Sequence, residues 1–273
     1  MNIVKPLVAA LLAASVSLVN AQQNVAVIDS PVTEQASEAT SEQLTPEQLA
    51  EQQLQEQRQL LRSDIVQLSG LTGLSQQARN LAQQTLNEQQ AQLGYQYQVA
   101  SRVAQFWNPQ LIEGQLQQAL ESASDEDLAA LQQLLNDARL QDARAKESSA
   151  VSDQGSAEFQ AYVQKLRAQP PGAARLALVQ ELDKAMRFSE FMLLTRASVY
   201  AQLEAVLKGW KPAEDWQQTL QNEVQEFLLY TYRRTPNDGI RELTSLYQNQ
   251  ALQQWLAAVK QSLPQQPAGQ QDS

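Results

Sequence analysis

The sequence predicts an all-α fold, an irregular helical bundle behind a disordered N-terminal leader, and three observations carry that reading. Apolar residues recur at helical spacing: Leu86, Leu93, Tyr97, Ala100, Val103 and Trp107 follow one another at intervals of seven, four, three, three and four, the period of one helix face. Helix-start signals stand between such runs, as at Asn108-Pro109 and Ser124-Asp125-Glu126-Asp127. About one residue in six is Gln, a good helix former that keeps an outer face soluble without charge.

The N-terminus has a different character. Lys5, an apolar run from Pro6 to Val19 and the small-residue site Val19-Asn20-Ala21 read as a secretory signal peptide over residues 1–21. The run is too short to span a bilayer, which takes roughly 20 residues, so cleavage after Ala21 and a periplasmic destination are expected, with no membrane span in the mature chain. Residues 22–44 are rich in Gln, Ser, Thr and Glu with scattered valines, too little apolar surface to offset the entropy of ordering. They read as a disordered acidic leader.

Order is expected from Thr45-Pro46-Glu47-Gln48, where Thr45 caps, Pro46 suits the first helical position and Gln48 completes a capping box. This helix should reach about Leu68, polar on most sides, with Leu49, Leu54, Leu60, Leu61 and Ile65 as sparse apolar contacts. After a turn at Gly70 to Gly73 comes the amphipathic run to Trp107, with Gly94 inside it as a kink or a close-packing point. A helix with Leu111, Ile112, Leu116 and Leu120 follows Asn108-Pro109. The next starts at Ser124 and buries Leu128, Leu131, Leu134, Leu135 and Ala138, completing a first helical half over residues 45–147.

The polar stretch Ser148 to Gly155 reads as the connection to a second half, residues 156–263. A short helix from Ala157 to Arg167 precedes Pro170-Pro171-Gly172. A long apolar-rich helix from Ala174 to Leu207 then forms the centre, ended by Gly209-Trp210-Lys211-Pro212. Helices carrying Trp216 to Thr231, Ile240 to Tyr247 and Gln250 to Leu263 close the fold, with a flexible tail at 264–273.

Composition excludes whole classes of function. The chain has no His and no Cys, so it can build neither a Ser-His-Asp nor a Cys-His arrangement, and it lacks the usual zinc ligands. Disulfides and lipid attachment through Cys are excluded too, so packing alone must hold the fold. The net charge of -10 is uneven, with seven acids against Arg58 alone between Gln22 and Arg58, and it argues against nucleic acid, whose phosphates need clustered Lys and Arg. No cofactor is implied.

Two segments match internally. Trp107-Asn108-Pro109 corresponds to Trp210-Lys211-Pro212, and Leu128, Leu131, Leu134, Leu135 and Leu140 align without gaps onto Ile240, Leu243, Leu246, Tyr247 and Leu252. Such a match is the mark of an internal repeat, although two capped amphipathic helices would also produce it. The closing run Thr235-Pro236-Asn237-Asp238-Gly239-Ile240-Arg241-Glu242-Leu243 through Tyr247 to Trp255 resembles exported bacterial proteins of an uncharacterised all-helical domain family, mainly across the C-terminal third. Members often carry Ser-x-x-Gly between those helices, whereas Gln248-Asn249-Gln250-Ala251 has no glycine. The resemblance implies a periplasmic helical protein and transfers no functional residue.

Two kinds of chemistry remain open. Arg233 and Arg234 after Tyr230 and Tyr232 could bind an anionic group, the arginines by bidentate hydrogen bonds and the tyrosines as a stacking wall, although cations at a helix end are expected from the dipole alone. Asp183 and Glu190 share a face of the expected long helix about 10.5 Å apart along its axis, and a buried carboxyl there could donate a proton. They are the candidate acids of the alternative reading, a carboxylate-dependent hydrolase acting on cell-envelope material. Asp125, Glu126 and Asp127 lack the glycine-punctuated loop of an EF-hand and are explained by helix capping. The aromatics Tyr95, Tyr97, Phe106, Trp107, Trp210, Trp216, Tyr247 and Trp255 read as core.

The preferred reading is a non-enzymatic, soluble periplasmic binding or envelope-associated protein. Its partner would be another periplasmic or envelope protein, met in part through polar helix association along Leu49, Leu54 and Leu61. Oligomeric state stays open.

Overall fold

The computed structural model describes residues 45–264; the signal segment, the leader and the tail from 265 lie outside the described residues. Twelve α-helices and no strand occur among them: α1 (Pro46–Ser69), α2 (Gly73–Glu88), α3 (Leu93–Phe106), α4 (Pro109–Gln118), α5 (Asp125–Leu135), α6 (Ala138–Asp153), α7 (Ala157–Ala168), α8 (Ala173–Met186), α9 (Phe188–Val206), α10 (Trp216–Thr231), α11 (Asn237–Tyr247) and α12 (Gln250–Ser262). The all-α class is as expected. Of the described residues, 61–264 form one compact unit and 45–60 belong to another. No helix among them is long and apolar enough to cross a membrane.

Helix starts follow side-chain chemistry. The Gln48 backbone N–H donates to Thr45 Oγ1 at 3.3 Å, and Thr45 N–H donates back to Gln48 Oε1 at 2.8 Å, the reciprocal capping box. Asn108, Ser124, Asp137, Ser156 and Asn249 each accept from a backbone N–H of the first turn they precede, satisfying donors with no partner inside the helix. Over residues 46–60, α1 is exposed on nearly every side, Leu49, Leu54 and Leu60 included.

Four expectations change. The amphipathic run to Trp107 is two helices, because residues 89–92 form a turn with Gln90 at φ 49°. That turn resets the helical phase: Val99, Val103 and Trp107 point inward, while Leu93 and Tyr97 are 81% and 77% exposed and Ala100 is exposed as well. Gly94 marks neither a kink nor a close approach, since a Cβ there would meet nothing within 4 Å. The stretch expected to connect the halves is helical as far as Asp153, the end of α6. Ala138 is exposed as the first residue of α6 and is not part of the α5 stripe.

The fourth change concerns the centre. The long helix from Ala174 breaks at Arg187, which adopts the left-handed conformation (φ 54°, ψ 28°) that ends α8 and begins α9. Two groups hold this non-glycine residue in an unfavourable region. Asp183 accepts from the Ser189 backbone N–H at 2.8 Å and from its hydroxyl at 2.7 Å. From α12, Gln253 Oε1 accepts from Arg187 Nε at 3.3 Å, and Gln253 Nε2 donates to the Ala185 carbonyl at 2.6 Å. Asp183 is therefore the cap of α9, and Asp183→Ala should cost about 1 kcal/mol in denaturant unfolding. Asp183→Asn, which keeps an acceptor, should recover most of it.

The core runs through the whole unit of residues 61–264. α8 packs chiefly against α11, while α9 lies against α2, α3, α8 and α10. Phe188 and Phe227 stack across α9 and α10 with ring centroids 5.8 Å apart. Each fully buried Leu, such as Leu116, Leu128 or Leu203, contributes roughly 1.5–3 kcal/mol by leaving water.

The internal match extends to helix bounds, caps and burial. A constant offset of 112 residues carries Asp125 onto Asn237 and Leu135 onto Tyr247, the ends of α5 and α11, and Ala138 onto Gln250, the starts of α6 and α12. Asp137 and Asn249 cap the second helix of each hairpin. Leu128, Leu131, Leu135 and Leu140 are buried, as are Ile240, Leu243, Tyr247 and Leu252. The hairpins meet reciprocally: α5 packs on α12 and α6 on α11.

Candidate functional site

A concavity with convergent polar groups lies between α8 and α10, a groove of about 420 Å³. α8 supplies Gln180, Asp183 and Lys184, the start of α9 supplies Ser189, and α10 supplies Gln218, Gln221, Asn222 and Gln225. The α10 residues fall at i, i+3, i+4 and i+7, so they form one row along a single helix face. Val179 and Leu228, both buried, form an apolar floor. Beyond the row, Asn222 and Gln225 also border a second hollow of about 460 Å³, walled by Leu166, Pro170, Pro171 and Leu176.

Primary amides both donate and accept hydrogen bonds, so this lining suits a neutral, hydrogen-bonding ligand. Asp183 has its pKa raised, first by burial, although its bonds from Ser189 pull the other way. Both of its carboxylate oxygens accept from Ser189. Glu190 lies outside the groove lining, exposed on α9, within 3.0 Å of Lys260 and 3.6 Å of Arg187. The two candidate acids thus sit on different helices, parted by the turn at Arg187. In the second hollow, Glu226 takes a two-pronged contact from Arg167 at 2.6 and 2.9 Å, and Glu223 pairs with Arg196 at 2.8 Å.

The candidate anion site at the end of α10 does not converge. Tyr230 and Tyr232 are fully buried, so they offer no wall to a ligand. The Tyr230 hydroxyl donates to Asp153 at 2.9 Å, and Phe159 and Tyr162 pack edge-on against its ring. Arg233 lies over that ring, 3.7 Å from its centroid, donates to the Tyr230 carbonyl and pairs with Glu158 at 3.2 Å. Arg175 donates to the carbonyls of Tyr232 and Thr235. These cations cap the C-terminal carbonyls of α10, the role the helix dipole favours. Arg234 is exposed.

Sequence reasoning missed a buried polar cluster centred on α6. Glu147 is 1% exposed and accepts from the Tyr232 hydroxyl at 2.5 Å through Oε1, while its Oε2 has no partner. Burial pushes its carboxyl up to about 8, against the opposing pulls of the Tyr232 hydrogen bond and of Arg144. Arg144, one turn away and 9% exposed, has its pKa lowered by burial, and its Nε is unpaired. The Tyr232 and Tyr247 hydroxyls are pushed well up, mainly by burial and then by Glu147. The available signal was the spacing of Leu140, Ala143, Glu147 and Ala150, a helical stripe interrupted by one charge.

No family model, no curated protein and no solved structure matches this chain. What defines its class is the fold itself, an all-α bundle that contains a register-matched pair of helical hairpins.

Proposed function

We propose that this is an exported, soluble periplasmic protein that works by binding, without catalysis, and that the α8–α10 groove holds a segment of an envelope polypeptide. Kinship with the exported helical family, resting on the run from Thr235 to Trp255, is part of the same proposal. The observation that carries it is the amide row Gln218, Gln221, Asn222 and Gln225 above an apolar floor. Seven residues of helix rise about 10.5 Å, the length of roughly three residues of extended chain at about 3.3 Å each. A primary amide can pair with a peptide group through both its donor and its acceptor; Gln218 Nε2 already donates to Asn222 Oδ1 at 3.2 Å, so Gln221 and Gln225 are the amides that take this role, and Val179 and Leu228 can receive an apolar side chain. The hydrolase alternative draws less support, because Asp183 is occupied as a cap and Glu190 faces elsewhere.

Photo-crosslinking in the host cell tests this. A benzophenone amino acid at Gln221 should give a discrete polypeptide adduct in the periplasmic fraction, whereas the same group at Gln133, exposed on α5, should not. Identical adducts at both positions, no adduct at Gln221, or a chain retained in the cytoplasm would sink the reading.

A further inference from the structure

We propose that a cavity between the two matched hairpins is a site for a small monovalent anion of the chloride class, with Arg144 as the cation that holds it. The cavity, about 30 Å³, is bordered by Leu135 and Arg144 from the first hairpin and by Tyr247, Leu252, Trp255 and Leu256 from the second. Four of these form two equivalent pairs under the offset of 112: Leu135 with Tyr247, and Arg144 with Leu256. Each hairpin therefore contributes one apolar and one polar member, and the two polar groups, a guanidinium and a phenol, face one space.

The chemistry of that space calls for an acceptor. Arg144 is more than nine-tenths buried, its Nε has no partner, and it forms no ion pair with Glu147 among the described residues. A guanidinium carries five donors and no acceptor, and a donor left buried without a partner, as its Nε is, is costly. Glu147 gives its Oε1 to Tyr232 and is not among the groups bordering the cavity. Ser69 also borders it, but its hydroxyl already donates to the Val66 carbonyl at 2.6 Å.

Size and walls select the ion. About 30 Å³ of space holds one or two water-sized species, which suits a small ion. The remaining walls are apolar, among them Leu71, Met186 and Phe188, so a second negative charge would find no second cation. A weakly hydrated halide leaves water at the least cost, and it can accept from both Arg144 and Tyr247. Water would satisfy donors but supply no negative charge. The second hairpin, with Leu256 and Val259 where the first has Arg144 and Glu147, shows that the packing itself does not require a charge here. This inference concerns a different part of the fold from the α8–α10 groove and stands or falls independently of it.

The test is thermal unfolding of the mature protein at fixed ionic strength, with sodium chloride replacing sodium gluconate, whose anion is too large to enter. The wild type should gain roughly 2–5 °C in midpoint as chloride rises from millimolar to about 0.2 M, since a ligand that binds only the native state stabilises it. Arg144→Leu should abolish that gain. Should the variant not fold, crystals of the wild type soaked in bromide decide the matter, with an anomalous peak at hydrogen-bond distance from the Arg144 guanidinium expected. Equal midpoints in chloride and gluconate, an undiminished gain in Arg144→Leu, or a cavity that contains water and no bromide would each overturn the assignment.

Discussion

Glu147→Gln is expected to be the more stable protein at pH 8 and no more stable at pH 5. The sign follows from linkage. The carboxyl titrates near 4.5 when exposed in the unfolded chain and near 8 in the fold, so between those values the native state binds the extra proton. Stability then declines as pH rises from about 4.5 to about 8 and levels off above that. At about 1.4 kcal/mol per unit, the loss reaches on the order of 3–5 kcal/mol. Gln stays neutral throughout and can still accept from the Tyr232 hydroxyl through its carbonyl oxygen. The groups that act on this site are Arg144 on its own helix, with Tyr232 and Tyr247 opposite. Both tyrosines remain protonated across the range, so Glu147 sets the slope. Urea midpoints measured at intervals between pH 5 and 9 should give a falling line for the wild type and a flat one for the variant. Parallel lines would show that the slope originates elsewhere.

The way in which this cluster stayed hidden shows what a single sequence can and cannot disclose about the fold. Helix starts were legible wherever a short polar side chain meets the first free N–H groups, as at Thr45, Asn108 and Ser124, because that chemistry is local. The break at Arg187 was not, for nothing around it is glycine or proline. It is imposed from a distance, by Gln253 on α12 and by Asp183 reaching forward to Ser189. The turn before α3 was equally silent, with Gln at the left-handed position. The last turns of α6, from Ser148 to Asp153, looked like a connection because Ser and Asp dominate them and leave little apolar period to read. For the candidate site, Asp183 was picked out from its apolar surroundings, and its raised pKa follows from them. Its duty as a cap depended on a helix break that no local signal marked. The amides of α10 were legible only as solubility, since what makes them a row over a floor is the placement of α8 opposite.

Trp107→Ala should cost about 3–5 kcal/mol, while Trp210→Ala, at the corresponding place in the second segment, should cost markedly less. Trp107 is fully buried at the end of α3, and its indole Nε1 donates to Ser198 Oγ on α9 at 3.0 Å. Removing it opens a cavity beside Val99 and Val103 and leaves the Ser198 hydroxyl without that partner. Trp210 is only partly buried; it packs edge-on against Tyr200 with centroids 5.3 Å apart, and Trp216 covers the same ring at the same distance. Its loss can therefore be taken up by solvent and by Trp216. For a unit of this size the Trp107 variant should melt roughly 10 °C below the wild type. Trp107→Phe should fall between, because it restores most of the volume but not the hydrogen bond, and Ser198→Ala should isolate the hydrogen bond at about 1 kcal/mol. Equal losses at the two tryptophans would mean that the second Trp-x-Pro anchors its segment as firmly as the first. The different burial of the two rings predicts otherwise: the two segments begin from anchors of unequal strength, and the first segment depends on α9, a helix of the second, to hold its own.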